Sequence, residues 1–382
     1  MARKGISRET LVIGILLLFV PATLVGPALG APPALEFFLS VAAIVPLAAL
    51  IGWATEALAD RFGGSIGGLL NATFGNAPDL LVGVFGVQHG LILLVKATLV
   101  GAIISNSALV MGLCYIAAGL KYGRPRFRRD EAGHHSVLLL LTVAAVLFPS
   151  LGSFVPCQAS DCGALQTSVL DISVGISAVL LMSYCAYIGY AIFGYIRIGP
   201  RPPVKEKRVD PDGWPVWLSL ALLGGSTVAL IPITDTLTSS VGPVTGVLGW
   251  TEVFVGMVVV ANAGNVAEAY AAIRLAVQRP ADPSPEANVD SGLDLALGIA
   301  SASSIQIAAF ICPLVVFYSL FEHPMNLVFS PVEVGILALM VIIFTIIALD
   351  GESNWLEGVQ LVALYLMAAI VFYWLPLSAF GS

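Results

Sequence analysis

Apolar runs, each close to the roughly 20 residues that a helix needs to cross the hydrocarbon layer of a bilayer, follow one another along nearly the whole chain. They fall at 10–29, 34–59, 63–88, 91–120, 134–150, 165–196, 214–240, 250–278, 292–321, 331–349 and 355–376. Of the 382 residues 58% are hydrophobic and 11% charged, whereas soluble domains carry about a quarter charged residues. The sequence therefore predicts an all-α, polytopic membrane protein of about 11 transmembrane helices, with lipid as its surroundings. A water-soluble fold is excluded.

The charge pattern orients these helices. Basic residues gather at Arg3, Lys4 and Arg8, at Arg61, from Lys121 to Arg129, from Arg197 to Arg208, and at Arg274 and Arg279. If every run crosses once, all of these lie on one side, and the loops near 30, 89, 150–164, 241–249 and 322–330 on the other side carry no Lys or Arg. The positive-inside rule then places the N-terminus in the cytoplasm and the C-terminus outside. The N-terminal basic residues and the small residues Ala28 to Ala31 imitate a cleavable secretory signal. The run from Thr10 to Leu29 nevertheless approaches a full span, which predicts a retained first helix. Net charge is −7, without the basic, aromatic-interleaved patch that nucleic acid would need. Five cysteines form no metal-ligating spacing. Cys157 and Cys162 share an outside loop and either form a local disulfide or stand as two free thiols.

The stretch from Arg197 to Gly213, with Pro200, Pro202, Pro203 and Pro211, reads as a cytoplasmic linker. It sets off an N-terminal transmembrane helix at 1–33 and a five-helix unit at 34–196 from a second five-helix unit at 214–382. Units with an odd number of helices must be inverted relative to each other, an arrangement recurrent in secondary transporters whose substrate sites lie where the repeats meet. An internal match supports the division. Phe74-Gly-Asn-Ala-Pro-Asp-Leu80 pairs with Ala263-Gly-Asn-Val-Ala-Glu-Ala269, each in the second helix of its unit. The next helices carry Gly101-Ala-Ile-Ile-Ser-Asn106 and Gly298-Ile-Ala-Ser-Ala-Ser-Ser-Ile-Gln306.

A carboxylate at membrane depth marks a functional site unless a basic residue neutralises it. Neither motif helix supplies one at the level of Asp79 and Glu268, so the expected counter-charge is a transported cation. The residue types suit a hard ion such as calcium, which takes six to eight oxygen ligands from carboxylates, amides, backbone carbonyls and water. Asp79 and Glu268 would bring the charge, and Asn76 and Asn265, on the same helix face at i−3, amide oxygens. Gly75 and Gly264 weaken the helix so that carbonyls can turn toward the ion. Pro78 has no N–H to give the carbonyl of Phe74, which predicts a stronger break in the first motif helix than in the second.

Ser105, Asn106, Ser303, Ser304 and Gln306 are further candidates for lining the path; such side chains in membrane helices also bond neighbouring backbone. Glu56 and Asp235, one helix before each motif, either form access routes or sit at solvated helix ends. Asp171 and Glu333 rank below them. His89, His134, His135 and His323 fall at helix ends, which suits a solvated surface role. The acidic stretch of Asp282, Glu286 and Asp290 reads as a solvated cytoplasmic loop. Glycines 63 to 68 suggest helix packing. Two further matches are coincidental: Gly63-Gly-Ser-Ile-Gly67 lacks the strand–turn–helix setting of a nucleophile elbow, and Asn71-Ala-Thr73, a glycosylation pattern, lies within a membrane helix.

These motifs together resemble the cation/proton exchanger branch of the calcium:cation antiporter superfamily. Leu69-Leu-Asn-Ala-Thr-Phe-Gly-Asn-Ala-Pro-Asp79 is similar to that family's GGLLNATFGNATE signature, Gly264-Asn-Val-Ala-Glu268 to its GNAAE signature, and Asp350-Gly-Glu-Ser-Asn-Trp-Leu-Glu-Gly358 to its DGxSNWLEG segment. The resemblance implies a secondary antiporter and not an enzyme. It implies export of cytosolic calcium against protons by alternating access, with Asp79 and Glu268 shared by the two ions and no cofactor. It points to the plasma, or inner, membrane in a prokaryote and leaves homo-oligomers open. Asp79 stands where the family usually has Glu, Pro78 where it has Thr, Ala269 where many members have His, and Ile305 where Thr is frequent; these departures bear on selectivity. A sodium/calcium exchanger, a manganese/proton exchanger and, from another class, a cation channel are the rival readings.

Overall fold

The computed structural model describes residues 8–62, 70–127, 129–152, 162–193, 214–278 and 292–380. The packing of glycines 63–68, the 197–213 linker, the Cys157–Cys162 question, the acidic stretch at 282–290 and the side chains of His134 and His135 lie outside these residues. The described chain is helical, with one isolated β-bridge between Arg126 and Glu352. In chain order the α-helices are α1 (Arg8–Leu16), α2 (Phe19–Val25), α3 (Pro33–Phe62), α4 (Ala77–Gln88), α5 (Ile92–Ile104), α6 (Met111–Tyr122), α7 (Arg129–Gly152) and α8 (Cys162–Phe193). The second half brings α9 (Val216–Leu248), a single turn α10 (Glu252–Phe254), α11 (Ala261–Ala276), α12 (Leu293–Gln306), α13 (Cys312–Ser319), α14 (Pro331–Asp350) and α15 (Trp355–Trp374).

Several of these run on into one another. Among the described residues, eight continuous helices are long and apolar enough to cross a membrane: Pro33–Phe62, Ile92–Tyr122, Ser168–Gly189, Val216–Leu248, Glu252–Ala276, Leu293–Ser319, Pro331–Asp350 and Trp355–Trp374. Val12–Val25, Ala77–Gln88 and Ser136–Leu151 are apolar but shorter.

Two sequence expectations change here. The single helix expected over 10–29 is broken into α1, α2 and a 3₁₀ turn at Pro27–Leu29. Pro21 cannot donate to the carbonyl of Leu17, and that carbonyl instead receives the N–H of Val20 in a tighter turn. The loop expected at 241–249 is helical as far as Leu248, with Pro232 and Pro243 inside α9. The chain reverses only at Gly249, whose φ of 68° suits a residue without Cβ. Thr251 then caps the next helix by accepting the N–H of Phe254.

The apolar core has two parts. One is built on the paired helices α3 and α9, with Ile44, Ile51, Leu58, Leu230 and Leu237 at its centre, and draws in Ala77 and Val82 of α4 and Val255 and Val260 before α11. The other gathers α5, α6, α7 and α11 to α15. The motif helices α4 and α11 stand on the seam between the two, which is where polar side chains interrupt the apolar contacts. Four π-helical turns occur among the described residues, at Asn71–Gly75, Ser105–Val110, Val255–Val260 and Ile307–Ile311. Each lies in one of the four helices that carry the polar motifs, and such turns free backbone groups from the regular ladder.

Lipid tails are as apolar as leucine, so close backbone approach takes over from the hydrophobic effect as the force between membrane helices. Against α15, the α6 residues Gly112 and Gly119 meet Gly358 and Trp355 backbone to backbone. A Cβ on Gly358 would stand 2.5 Å from the Gly112 carbonyl and 2.6 Å from the Ile116 nitrogen, both of which are main-chain atoms that cannot swing aside. Lys96 ties the 320–330 loop to α5, donating to Asn326 Oδ1 and to the Val328 carbonyl at 2.7 Å each. Glu333 closes a reciprocal capping box with Ser330 at the start of α14. Gly358→Val is expected to destabilise the protein in detergent by about 1–3 kcal/mol, read from thermal unfolding, whereas Gly335→Ala, where a Cβ meets nothing within 4 Å, leaves the transition in place.

Candidate cation site

Asp79 and Glu268 reach the seam by different local structures. Pro78 interrupts the ladder, the π turn at Asn71–Gly75 ends, and Asn76 takes φ −93°, ψ 17° before α4 begins. Asp79 therefore sits in the first turn of a new helix, where the helix dipole favours an anion. Glu268 stands in the middle of α11, which runs unbroken through Gly264 and Asn265. The stronger break thus falls in the first motif, where Pro78 predicts it. The Phe74 carbonyl, expected to be released, still receives the N–H of Asn76, so only its second lone pair stays available.

The two carboxylates face each other's glycine. A Cβ built on Gly264 would lie 3.1 Å from Asp79 Oδ1, and one built on Gly75 would lie 3.4 Å from Glu268 Oε1. The glycines thus make room for the carboxylates; the expected loosening is seen at Gly75, where the π turn ends, and not at Gly264, which lies inside a regular helix. Asp79 is 3% exposed, and Glu268, in a half-buried position, turns a fully buried Oε2 with no hydrogen-bond partner inward. The carboxylates are near enough to interact electrostatically, and the Ser303 hydroxyl is within hydrogen-bonding reach of Glu268.

Amides complete the oxygen set. Asn76 is fully buried and donates from Nδ2 to Gln306 Oε1 at 2.5 Å, and its buried Oδ1 has no hydrogen-bond partner. Asn265 is buried too, with an unpartnered Nδ2. Asn106 donates to Ser303 Oγ at 3.0 Å, joining the helices that follow the two motifs. Not every candidate points to the pair. Ser304 donates back to the Ala300 carbonyl of its own helix at 3.1 Å, and Ser105 donates to Asn262 Oδ1 at 2.7 Å. Asn262, which sequence reasoning passed over, also donates to the Tyr365 hydroxyl at 2.6 Å and so ties α11 to the last membrane helix.

Glu56 and Asp235 stand apart from the pair in exposed positions. Asp235 meets His89 Nε2 at 2.8 Å, so His89 is a partnered group and not merely a solvated one. His323 is likewise engaged, through Nδ1 with the Val87 carbonyl at 3.0 Å. No group of three or more His, Cys, Asp or Glu side chains forms a metal cluster among the described residues. Two carboxylates set among neutral amides and hydroxyls suit an ion held briefly better than a resident one. Asn71 is a further omission of the sequence reading. Its Oδ1 lies 3.0 Å from the same hypothetical Cβ on Gly75 that Glu268 approaches; the only signal for it was its position one helical turn before Gly75.

The model of the sodium/calcium exchanger protein family matches residues 33–193 and 218–374. The chain is 33% identical to the Ca(2+)/H(+) antiporter ChaA of Bacillus subtilis (strain 168), over 93% of its own length and 96% of that protein's. It is 33% identical to the Ca(2+)/H(+) antiporter of Aphanothece halophytica, over 97% and 98%. Among solved structures, native YfkE superposes with a TM-score of 0.77 at 32% identity, covering 95% of this chain and 100% of that one.

Gly264→Ala would push a methyl group against Asp79 Oδ1. It is expected to weaken divalent-cation binding by about tenfold, measured by calorimetric titration of the purified protein. Gly298→Ala, where a Cβ meets nothing within 4 Å, is expected to bind as the unaltered protein does.

Proposed function

This chain belongs to the sodium/calcium exchanger protein family, in its cation/proton exchanger branch, and we propose from that premise that it exports cytosolic calcium in exchange for protons by alternating access. The observation that carries this reading is the reciprocal crossing of Asp79 with Gly264 and of Glu268 with Gly75. Two facing carboxylates in a low-dielectric seam carry a charge of −2 that the described neighbourhood does not neutralise. One calcium ion cancels it, and so does one proton on each carboxylate. The empty pair is the costly state, because uncompensated charge at membrane depth is strongly disfavoured. Movement of the site between the two faces is then easy when it is loaded with either cargo and hindered when it is empty, which is the condition for exchange. The carboxylates titrate as a coupled pair and not as two independent acids.

The oxygens that would meet calcium are those of Asp79 and Glu268, the Asn76 amide held by Gln306, Asn265, and backbone carbonyls of the π turn that ends at Gly75, with the second lone pair of Phe74 among them. Ser303 and Asn106 line the path beside Glu268. The protein acts by moving ions and not by catalysing a reaction; calcium and protons are its cargo, and no cofactor takes part.

The architecture we infer is one N-terminal helix at 1–33 followed by two inverted five-helix units at 34–196 and 214–382, joined by a cytoplasmic linker at 197–213. The three shorter apolar helices added to the eight long ones give 11 spans. The N-terminus is then cytoplasmic and the C-terminus outside, in the inner membrane of a prokaryote. The two blocks matched by the family model, 33–193 and 218–374, support the division.

Inverted membrane vesicles carrying the protein are expected to take up calcium when a proton gradient is imposed. Asp79→Asn and Glu268→Gln each lower that uptake by about a hundredfold or more, while Glu56→Gln, altered at an exposed position, retains it. Wild-type uptake in both carboxylate variants would sink the assignment. Replacing the proton gradient by a sodium gradient, and adding manganese as competitor, separates calcium/proton exchange from the two related exchange reactions. Currents far above exchanger turnover would indicate a channel.

A further inference from the structure

Asn71 and Thr55 form a polar approach to the carboxylate pair for which the paired motifs provide no role. Asn71 opens the π turn, and its side-chain oxygen and Glu268 Oε1 lie 3.0 Å and 3.4 Å from the one point that a Cβ on Gly75 would occupy. Because position 75 carries no side chain, an amide oxygen and a carboxylate oxygen can approach its backbone together. Thr55, buried on α3, brings a third: its Oγ1 is 3.5 Å from Asn71 Oδ1. The single hydroxyl proton of Thr55 is within reach of the Gly52 carbonyl at 2.9 Å and of Asn71 Oδ1 at 3.5 Å, and whichever accepts it, Asn71 Oδ1 keeps a second lone pair for a ligand. Behind these oxygens, Glu268 Oε2 is buried without a partner.

Burial deepens along this line. Asn71 is exposed, Gly75 and Glu268 are half-buried, and Asn76, Asp79 and Asn265 are buried. An ion arriving from the Asn71 end meets one carboxylate, one amide oxygen and one hydroxyl oxygen before it meets Asp79.

We propose that Asn71 Oδ1, Thr55 Oγ1 and Glu268 Oε1 make up an entry subsite for a hydrated divalent cation, in which part of the water shell is exchanged for protein oxygens before the ion passes on to Asp79. Divalent sites gain affinity with ligand charge, so one carboxylate with two neutral oxygens holds the ion loosely. Loose holding is what a transport path needs, since an ion must leave each station as readily as it enters. A third carboxylate at Asn71 would also leave a surplus negative charge when the pair has taken up its protons. The neutral amide gives an oxygen ligand without that penalty.

The subsite rests on the antiport reading above, and in the topology inferred there it opens to the cytoplasm. The test is calcium transport by the full-length protein, measured separately from the cytoplasmic and the outer face, in inverted and right-side-out vesicles. Asn71→Ala is expected to raise the half-saturating calcium concentration about tenfold from the cytoplasmic face and less than about twofold from the other, with the maximal rate close to wild type. Thr55→Val shifts it in the same direction by a smaller factor. Asn71→Asp lowers it on the same face and slows turnover, because the ion is held too well. Should Asn71→Ala fail to fold, the other two variants decide by the same criterion. Equal shifts from both faces, or none from the cytoplasmic face, would overturn the subsite. Failure of the antiport reading is a separate result, visible as absence of proton-driven calcium uptake by the wild-type protein.

Discussion

Two carboxylates placed deep in an apolar bundle impose the condition on which the rest of this structure depends. A charge at membrane depth must be paired, hydrated or protonated, and here neither motif helix carries a basic residue beside Asp79 or Glu268. The protein leaves the pair open to cargo and arranges the surrounding helices to make that tolerable. The π turns fall in the four helices that carry polar motifs, where freed backbone groups can face a cavity, the one setting in which irregular backbone is stable at this depth. The amides of Asn76 and Gln306 lock together at 2.5 Å, so a polar group near the pair is fixed in orientation before any ion arrives. The surrounding apolar core divides along the same line, with α3 and α9 in one part and most of the remaining bundle in the other.

That division has a mechanical consequence. Close glycine contacts hold α6 to α15 at Gly112 and Gly358, and α5 to the π turn before α11 at Gly101 and Met257, by backbone atoms that cannot repack. The α3–α9 pair meets the motif helices mainly through side chains such as Val82, Leu230 and Val260. Backbone contacts are rigid, whereas side-chain contacts can exchange partners. If the protein alternates between two faces, the seam that contains the pair is therefore where motion costs least.

Much of this was legible in the sequence, and the reasons for the rest are specific. The spans were readable because a helix that crosses a bilayer needs a long apolar run, and the site because Gly-Asn-x-x-Asp/Glu occurs twice. Pro78 announced the break at Asn76, since a missing N–H is a purely local fact. The break between α1 and α2 followed from the same logic applied to Pro21, but hydropathy averaged over the run concealed it. The loop expected at 241–249 failed for the opposite reason: α3 packs along α9, Val241 and Val244 on either side of Pro243 are fully buried in the shared core, and tertiary packing overrode a local breaker. The pairing of His89 with Asp235, 146 positions apart, and of Asn262 with Tyr365, 103 apart, could not be read because neither residue says what lies opposite it. Asn71 was lost for another reason. Its glycosylation-like context offered an explanation at the level of pattern, and the location of the pattern in a membrane helix disposed of the pattern without asking what the residue itself could do there.

The two halves of the site repeat a motif without repeating its environment. Asp79 has a short side chain at the start of α4, where the helix dipole favours negative charge. Glu268 has one more methylene and stands in mid-helix, with one oxygen beside Gly75 and the other buried without a partner. Asp79 is thus the less exposed of the two and Glu268 the more accessible. On the path proposed above, an ion coming from the Asn71 end meets Glu268 first and Asp79 second. The substitution of Asp for the longer Glu at the buried position fits that order: the carboxylate with the shorter reach is the one next to Pro78, at the start of a helix, and the longer side chain is kept at Glu268, the one that such an ion would meet first.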